Sequence, residues 1–238
     1  MLFQRLENLN LMGKDKLKRF AEVEKFKNVI QPDLNNFSND HELKGNWSTK
    51  FNNSNPIILE LGCGRGEYTV GLAKKFPKIN FIGIDIKGSR LWRGAKTCVE
   101  ENINNVFFLR TKVDFIKQFF NTNEVNEIWL TFSDPQPKKP RKRLTSPLFI
   151  ERYKELLKKD GVIHLKTDSD LLYEYTLEEI ERNNYSIINH FNDVHGQLND
   201  KSDPELYEIL NIETYYESIW LKEGKKIKYV SFTAIHKG

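Results

Sequence analysis

The chain has 238 residues, 39% hydrophobic and 29% charged, with 37 Lys and Arg against 33 Asp and Glu for a formal charge of +4. That length suits one large α/β domain, or a core domain with terminal extensions, and leaves little room for two full-sized domains; the composition excludes a disordered chain, a fibre and a repeat array. So small a net charge does not identify a polyanionic partner, and the placement of the cations has to carry that question.

From the amino terminus, no basic region is followed by a long apolar run, and no later segment approaches the roughly 18 apolar residues of a membrane span. The expectation is a cytoplasmic protein with no membrane contact. Residues 1–55 read as a polar, partly helical extension, with a basic helix from Lys14 to Lys27 and an Asn-rich run from Asn35 to Asn55. Glu22 and Glu24 interrupt the basic stretch, which favours a solvated face over an RNA contact.

From Pro56 onward, residues 56–238 form the principal domain, in which short apolar runs alternate with amphipathic stretches, the pattern of β-α units and a parallel sheet. Strands are predicted over Ile57–Leu61, Asn80–Asp85, Val106–Arg110, Glu127–Phe132 and Val162–Lys166. Helices are predicted over Glu67–Lys75, Ser89–Glu101, Phe115–Phe120, Pro147–Lys158 and Leu171–Arg182; Pro147 fits a first helical turn, where no N–H is needed. Ser186–Phe191 and Lys228–His236 are expected to pair as an antiparallel edge hairpin around an insertion, roughly Asn192–Lys226. Cys63 and Cys98 lie far apart without C-x-x-C spacing, which argues for reduced thiols and against a zinc site. No metal is expected.

The first predicted strand ends in Glu60-Leu61-Gly62-Cys63-Gly64-Arg65-Gly66-Glu67. Glycines at every second position let the backbone turn sharply and approach a ligand closely. A dinucleotide fingerprint would need its last glycine at position 67, which is Glu67, and no Gly-Lys-Ser/Thr follows to make a P-loop. E-x-G-x-G-x-G after a strand resembles the first motif of class I methyltransferases, in which this loop wraps S-adenosylmethionine. Asp85 ends the second strand, 21 residues beyond Gly64, where a carboxylate accepts ribose hydroxyl protons. A plain strand-to-helix turn with Asp85 as a helix cap is the competing reading.

After the fourth strand comes Ser133-Asp134-Pro135-Gln136-Pro137-Lys138-Lys139-Pro140-Arg141-Lys142-Arg143, at the carboxyl end of the sheet, where doubly wound folds bind ligands. Prolines stiffen this segment and five of its last six residues are cationic, which points to a phosphate-bearing substrate. Asp134 at the strand end would face the donor's methyl group.

Together, L-E-x-G-x-G-x-G, the Asp-Pro run with its Lys/Arg stretch and the late Thr214-x-x-Glu217 resemble the bacterial tRNA (guanine-N7)-methyltransferases, from about Pro56 onward. The resemblance implies a doubly wound, Rossmann-like sheet, mostly parallel with an antiparallel edge hairpin. It also implies S-adenosylmethionine as donor and tRNA as partner, with no obligate protein partner, and guanine 46 of the variable loop as target. In its terms Glu60, Asp85, Thr111 and Asp134 line the cofactor pocket with Gly62, Gly64 and Gly66, and Asp134 is the catalytic residue. Lys138 and Asp168 contact substrate, Thr214, Tyr215, Tyr216 and Glu217 bind the guanine, and Lys139, Arg141, Lys142 and Arg143 touch RNA. Thr111 stands where the family often has Asp or Asn, and Gln136 where it commonly has Trp. Thr214-x-x-Glu217 also fits a helix capping box, and Asp168 a helix cap. Trp47, Trp92, Trp129 and Trp220 are assigned to packing. Two other functions fit the same fold: methylation of an exocyclic amine, through likeness of Ser133-Asp134-Pro135 to N/D-P-P-Y, and RNA binding without catalysis.

Overall fold

The computed structural model of the protein describes residues 17–33, 39–199, 201 and 203–234. Its strands are β1 Val29–Ile30, β2 Ile57–Leu61, β3 Asn80–Asp85, β4 Val106–Arg110, β5 Val125–Thr131, β6 Leu157–Thr167, β7 Ser186–Phe191 and β8 Lys228–Thr233. They form one sheet in the order β1-β4-β3-β2-β5-β6-β8-β7. The first six are parallel, and β8 runs antiparallel between β6 and β7. This is the mostly parallel sheet with an antiparallel edge that the periodicity predicts, doubly wound as the resemblance implies. From β2 the chain winds outward to β3 and β4, then crosses back to β5, so a crevice opens at the carboxyl ends of β2 and β5.

The helices are α1 (residues 17–23), α2 Trp47–Phe51, α3 Glu67–Lys75, α4 Gly88–Glu100, α5 Pro147–Leu156, α6 Asp170–Arg182, α7 Val194–Gln197, α8 Pro204–Leu210 and α9 Tyr215–Lys222. The insertion therefore holds α7, α8 and α9. Helix α1 falls within the basic helix expected over Lys14–Lys27, of which residues 14–16 lie outside the described chain.

Two elements differ from expectation for physical reasons. Phe115–Phe120 is a 3-10 segment, Val113–Gln118, because Phe119 and Phe120 both enter the core, and consecutive residues of one α-helix do not share a face. Helix α5 stops at Leu156 and passes directly into β6: Leu157 is fully buried and pairs with Val125, and the exposed Lys158–Asp160 stretch bulges out before Val162 resumes the ladder opposite Glu127. Of the strand expected over Lys228–His236, residues 235 and 236 lie outside the described chain.

Part of the polar stretch before residue 56 is built into this core. Trp47 is fully buried, donates its indole N–H to the Phe119 carbonyl at 2.8 Å and stacks on Phe120. Val23, Leu43 and Phe51 are buried as well, and β1 extends the sheet beyond β4. Apolar residues are sparse there, but Leu43, Trp47 and Phe51 join the same core cluster as β2 and β5. Cys63 and Cys98 are buried free thiols, and burial pushes that of Cys98 up to about 12.

Candidate active site

The loop from β2 to α3 is built on left-handed backbone. Gly62, Gly64 and Gly66 have φ of 78°, 55° and 71°, a region that L side chains adopt at a cost of roughly 1–2 kcal/mol per residue. Gly66 is also a close approach, since a Cβ there would lie 2.4 Å from the Phe108 ring. The Gly62 and Cys63 N–H groups both donate to the Ile84 carbonyl, which joins the loop to the end of β3.

Asp85 completes that junction. Its Oδ2 accepts from Gly64 N–H at 3.1 Å and its Oδ1 from Lys87 N–H at 2.7 Å, so the carboxylate closes the turn before α4 and keeps lone pairs for a ligand. Beside it opens a cleft of about 490 Å³, bounded by Gly62, Asp85, Ile86, Thr111, Leu144 and Phe149. Thr111 is 1% exposed, and its hydroxyl has no hydrogen-bond partner among the described residues. A buried unsatisfied hydroxyl costs about 1–3 kcal/mol, so this one on the cleft wall is a vacant contact for a polar ligand group. A carboxylate, an unpaired hydroxyl and apolar walls are the chemistry of a nucleoside site.

Glu60 lies behind this cleft and not on its wall. Buried to 5% exposure, it accepts from Thr69 N–H at 2.8 Å, from the Thr69 hydroxyl and from the Thr131 hydroxyl. The carboxylate thus ties β2 to the first turn of α3 and to β5. Burial raises its pKa to about 7 against these hydrogen bonds.

The segment after β5 is strained at both ends of Ser133-Asp134-Pro135: Phe132 has φ 50° and Gln136 φ 44°. Such outliers cost about 1–3 kcal/mol each and persist where surrounding contacts enforce them. Here the Phe132 N–H donates to the Lys166 carbonyl and the Gln136 N–H to Asp134 Oδ1 at 2.9 Å. Arg143, expected on RNA, is the correction in this loop. It is 4% exposed, donates from Nε to the Pro135 carbonyl at 2.9 Å and lies 4.3 Å from the Tyr175 ring, so it braces the Asp-Pro turn from inside. Lys138, Lys139, Arg141 and Lys142 are exposed, with Arg141 and Lys142 on the rim of the nucleoside-type cleft.

On its other side, the strained segment borders a second cleft of about 550 Å³ in which Asp134 and Asp168 meet Phe132, Trp220, Lys225 and Lys228. The Lys225 ammonium lies 3.7 Å from Asp168 Oδ2 and 5.6 Å from the Trp220 ring centre, a cation between a carboxylate and an aromatic face. Ser169, not Asp168, caps α6. Trp220, assigned to packing from the sequence, is a wall of this cleft, tilted against Phe132 and stacked with Tyr216. The available signal was the i, i+4 spacing of Tyr216 and Trp220, which puts both rings on one face of α9.

Thr214 and Glu217 form the capping box of α9. Glu217 is fully buried and pairs with the equally buried Lys166 at 2.8 Å, while Lys166 also donates to the carbonyls of Leu210 and Ile212. Expected at the target base, Glu217 is instead enclosed: the pair holds α9 on the sheet. Tyr215 and Tyr216 remain about half exposed.

Comparison with known proteins adds relatives to this geometry. A family model described as "Putative methyltransferase" matches residues 54–230. A tRNA (guanine-N(7)-)-methyltransferase of Christiangramia forsetii is 50% identical over 224 residues, covering 92% of this chain and 98% of that protein. Another, from Bacteroides thetaiotaomicron, is 48% identical over 230 residues, covering 95% and 88%. Among solved structures, the 16S rRNA methyltransferase KamB superposes with a TM-score of 0.60 at 11% identity, covering 82% of this chain and 94% of that one. An antibiotic-related methyltransferase does so at 0.57 and 14% identity, covering 82% and 96%. The structural likenesses carry the fold alone.

Proposed function

This chain belongs to the tRNA (guanine-N7)-methyltransferase family, and from that premise we propose how its two clefts divide the reaction. The nucleoside-type cleft holds S-adenosylmethionine and the cleft of Asp134, Asp168 and Trp220 receives the guanine, with Asp134 on the strained segment between them. The observation that carries this division is the partnerless Thr111 hydroxyl beside Asp85 in one cleft, and the pairing of Asp134 and Asp168 with Trp220 in the other.

In the first cleft, Asp85 is placed to accept ribose hydroxyls, Thr111 to hydrogen-bond the base, and Gly62 and Gly64 to let the ligand meet backbone. Glu60 acts at one remove, by fixing the loop to α3 and β5. When bound, S-adenosylmethionine supplies an electrophilic methyl group on a sulfonium.

In the second cleft, guanine N7 presents an in-plane lone pair and no proton, so no general base is needed. The N7–CH3 bond forms as the S–CH3 bond breaks, and the positive charge passes to the purine. Asp134 and Asp168 then accept from guanine N1–H and the 2-amino group and favour the cationic ring. Trp220 gives the ring a stacking face, the more attractive as the purine gains charge. The exposed Lys138, Lys139, Arg141 and Lys142 contact tRNA phosphates and help to offset the few kcal/mol of taking the base from its stack.

Asp134→Asn keeps an acceptor for the Gln136 N–H while removing the charge. Turnover is expected to fall about 10²-fold or more with tRNA binding retained, measured by single-turnover methylation and filter binding. Near-normal turnover removes Asp134 from the reaction.

A further inference from the structure

A third recess, of about 430 Å³, lies where the glycine loop, the start of α4, α1 and α9 meet. Arg19, Arg65, Arg90 and Arg93 line it against one carboxylate, Glu67, whose Oε2 already accepts from Tyr215 N–H at 2.8 Å. Among the described residues none of the four arginines forms an ion pair, whereas nearby Lys74, Lys75 and Lys96 all do. Two of them lie over aromatic rings instead, Arg19 at 4.9 Å from Trp92 and Arg65 at 4.7 Å from Tyr215. Arg90 and Arg93, three residues apart, share a face of α4. The first turn of that 13-residue helix holds no acidic residue and no side-chain cap, so its free N–H groups add to the positive field.

Four guanidiniums collected against a single carboxylate repel one another in the free protein. They suit an anion with several oxygens and a repeating charge, because each forked donor set matches a phosphate. The recess also adjoins the machinery already described. Arg65 stands between Gly64 and Gly66, and Tyr216, on its wall, stacks with Trp220 of the guanine cleft at 5.9 Å between ring centres.

We propose that this arginine recess binds backbone phosphates of the tRNA as an anchor separate from the Lys138–Lys142 loop, so that the substrate is gripped at two places around the reacting base. The inference rests on the tRNA reading above and assigns it a second contact surface. Arg90 and Arg93 are exposed and make no hydrogen bond to another side chain among the described residues, so their replacement leaves the fold supported.

The test is the double variant Arg90→Ala/Arg93→Ala, assayed for tRNA binding across a salt series, with S-adenosylmethionine affinity and thermal melting alongside. Its tRNA affinity is expected to fall about tenfold or more and its log–log salt slope to shrink by roughly one to two. Cofactor affinity and melting should stay at the wild-type values. Arg90→Lys/Arg93→Lys should recover most of the slope and only part of the affinity, because lysine keeps the charge and loses the fork. If the alanine variant binds tRNA with wild-type affinity and slope while the wild type forms 7-methylguanosine, the recess assignment alone is overturned. A wild type that neither binds nor methylates tRNA overturns this inference together with the reading on which it rests.

Discussion

Burial makes the Glu60 carboxyl sensitive to pH in a predictable direction. Its folded pKa is raised from 4.5 to about 7, so between those values the folded chain holds a proton that the unfolded chain has lost. Stability therefore falls as pH rises through this window, by about 3 kcal/mol, and stays lower above it. Glu60→Gln, which keeps an acceptor for the Thr69 N–H, should lose most of that fall between pH 5 and pH 8 in urea denaturation. An unchanged pH profile in the variant contradicts the assignment. Strand-end acids such as Asp85 and Asp134 were legible as cleft-lining residues because their positions follow from the strand pattern. Arg143 and Glu217 were not, since a cation in a basic run and an acid in a T-x-x-E motif look solvent-facing. The partners that enclose them, Tyr175 for Arg143 and Lys166 for Glu217, are remote in sequence.

Among elements, the glycine loop, β3, β4 and α4 are fitted around one ring, that of Phe108. Cβ atoms added at Gly66, Gly83 or Gly94 would each lie within 2.8 Å of it. Gly94 is doubly confined, with the Arg65 carbonyl 2.8 Å from such a Cβ, so α4 sets the position of the cofactor loop. Gly94→Ala should destabilise the fold by about 1–3 kcal/mol and weaken S-adenosylmethionine binding by displacing the loop. Calorimetric titration and a melting curve check this, and wild-type values in both contradict the packing argument. The strands β2, β3 and β4 were legible to the residue because their apolar runs end in glycine, acid or base. The α5–β6 junction was not, because a helix passing straight into a strand leaves no turn signal, and Gly94 carries no mark within its helix to say that a loop packs on it.

At the scale of the molecule, the order of β-α units specified the sheet and located the crevice at the carboxyl ends of β2 and β5. What the order of elements left open was which surface each loop faces. The basic run divides, with Arg143 inside and Lys138 outside, and the insertion folds back so that α9 brings Trp220 to the cleft of Asp134 and Asp168 and Tyr216 to the arginine recess. These placements depend on contacts between distant segments, the buried Lys166–Glu217 pair above all. In the proposed reading this surface offers one cleft for a methyl donor, one for a purine and two cationic regions for RNA. The direct test is incubation of the protein with labelled S-adenosylmethionine and unmodified tRNA, followed by nuclease digestion and identification of the labelled nucleoside. The account predicts 7-methylguanosine; label recovered as N6-methyladenosine, or on protein glutamine, would contradict it.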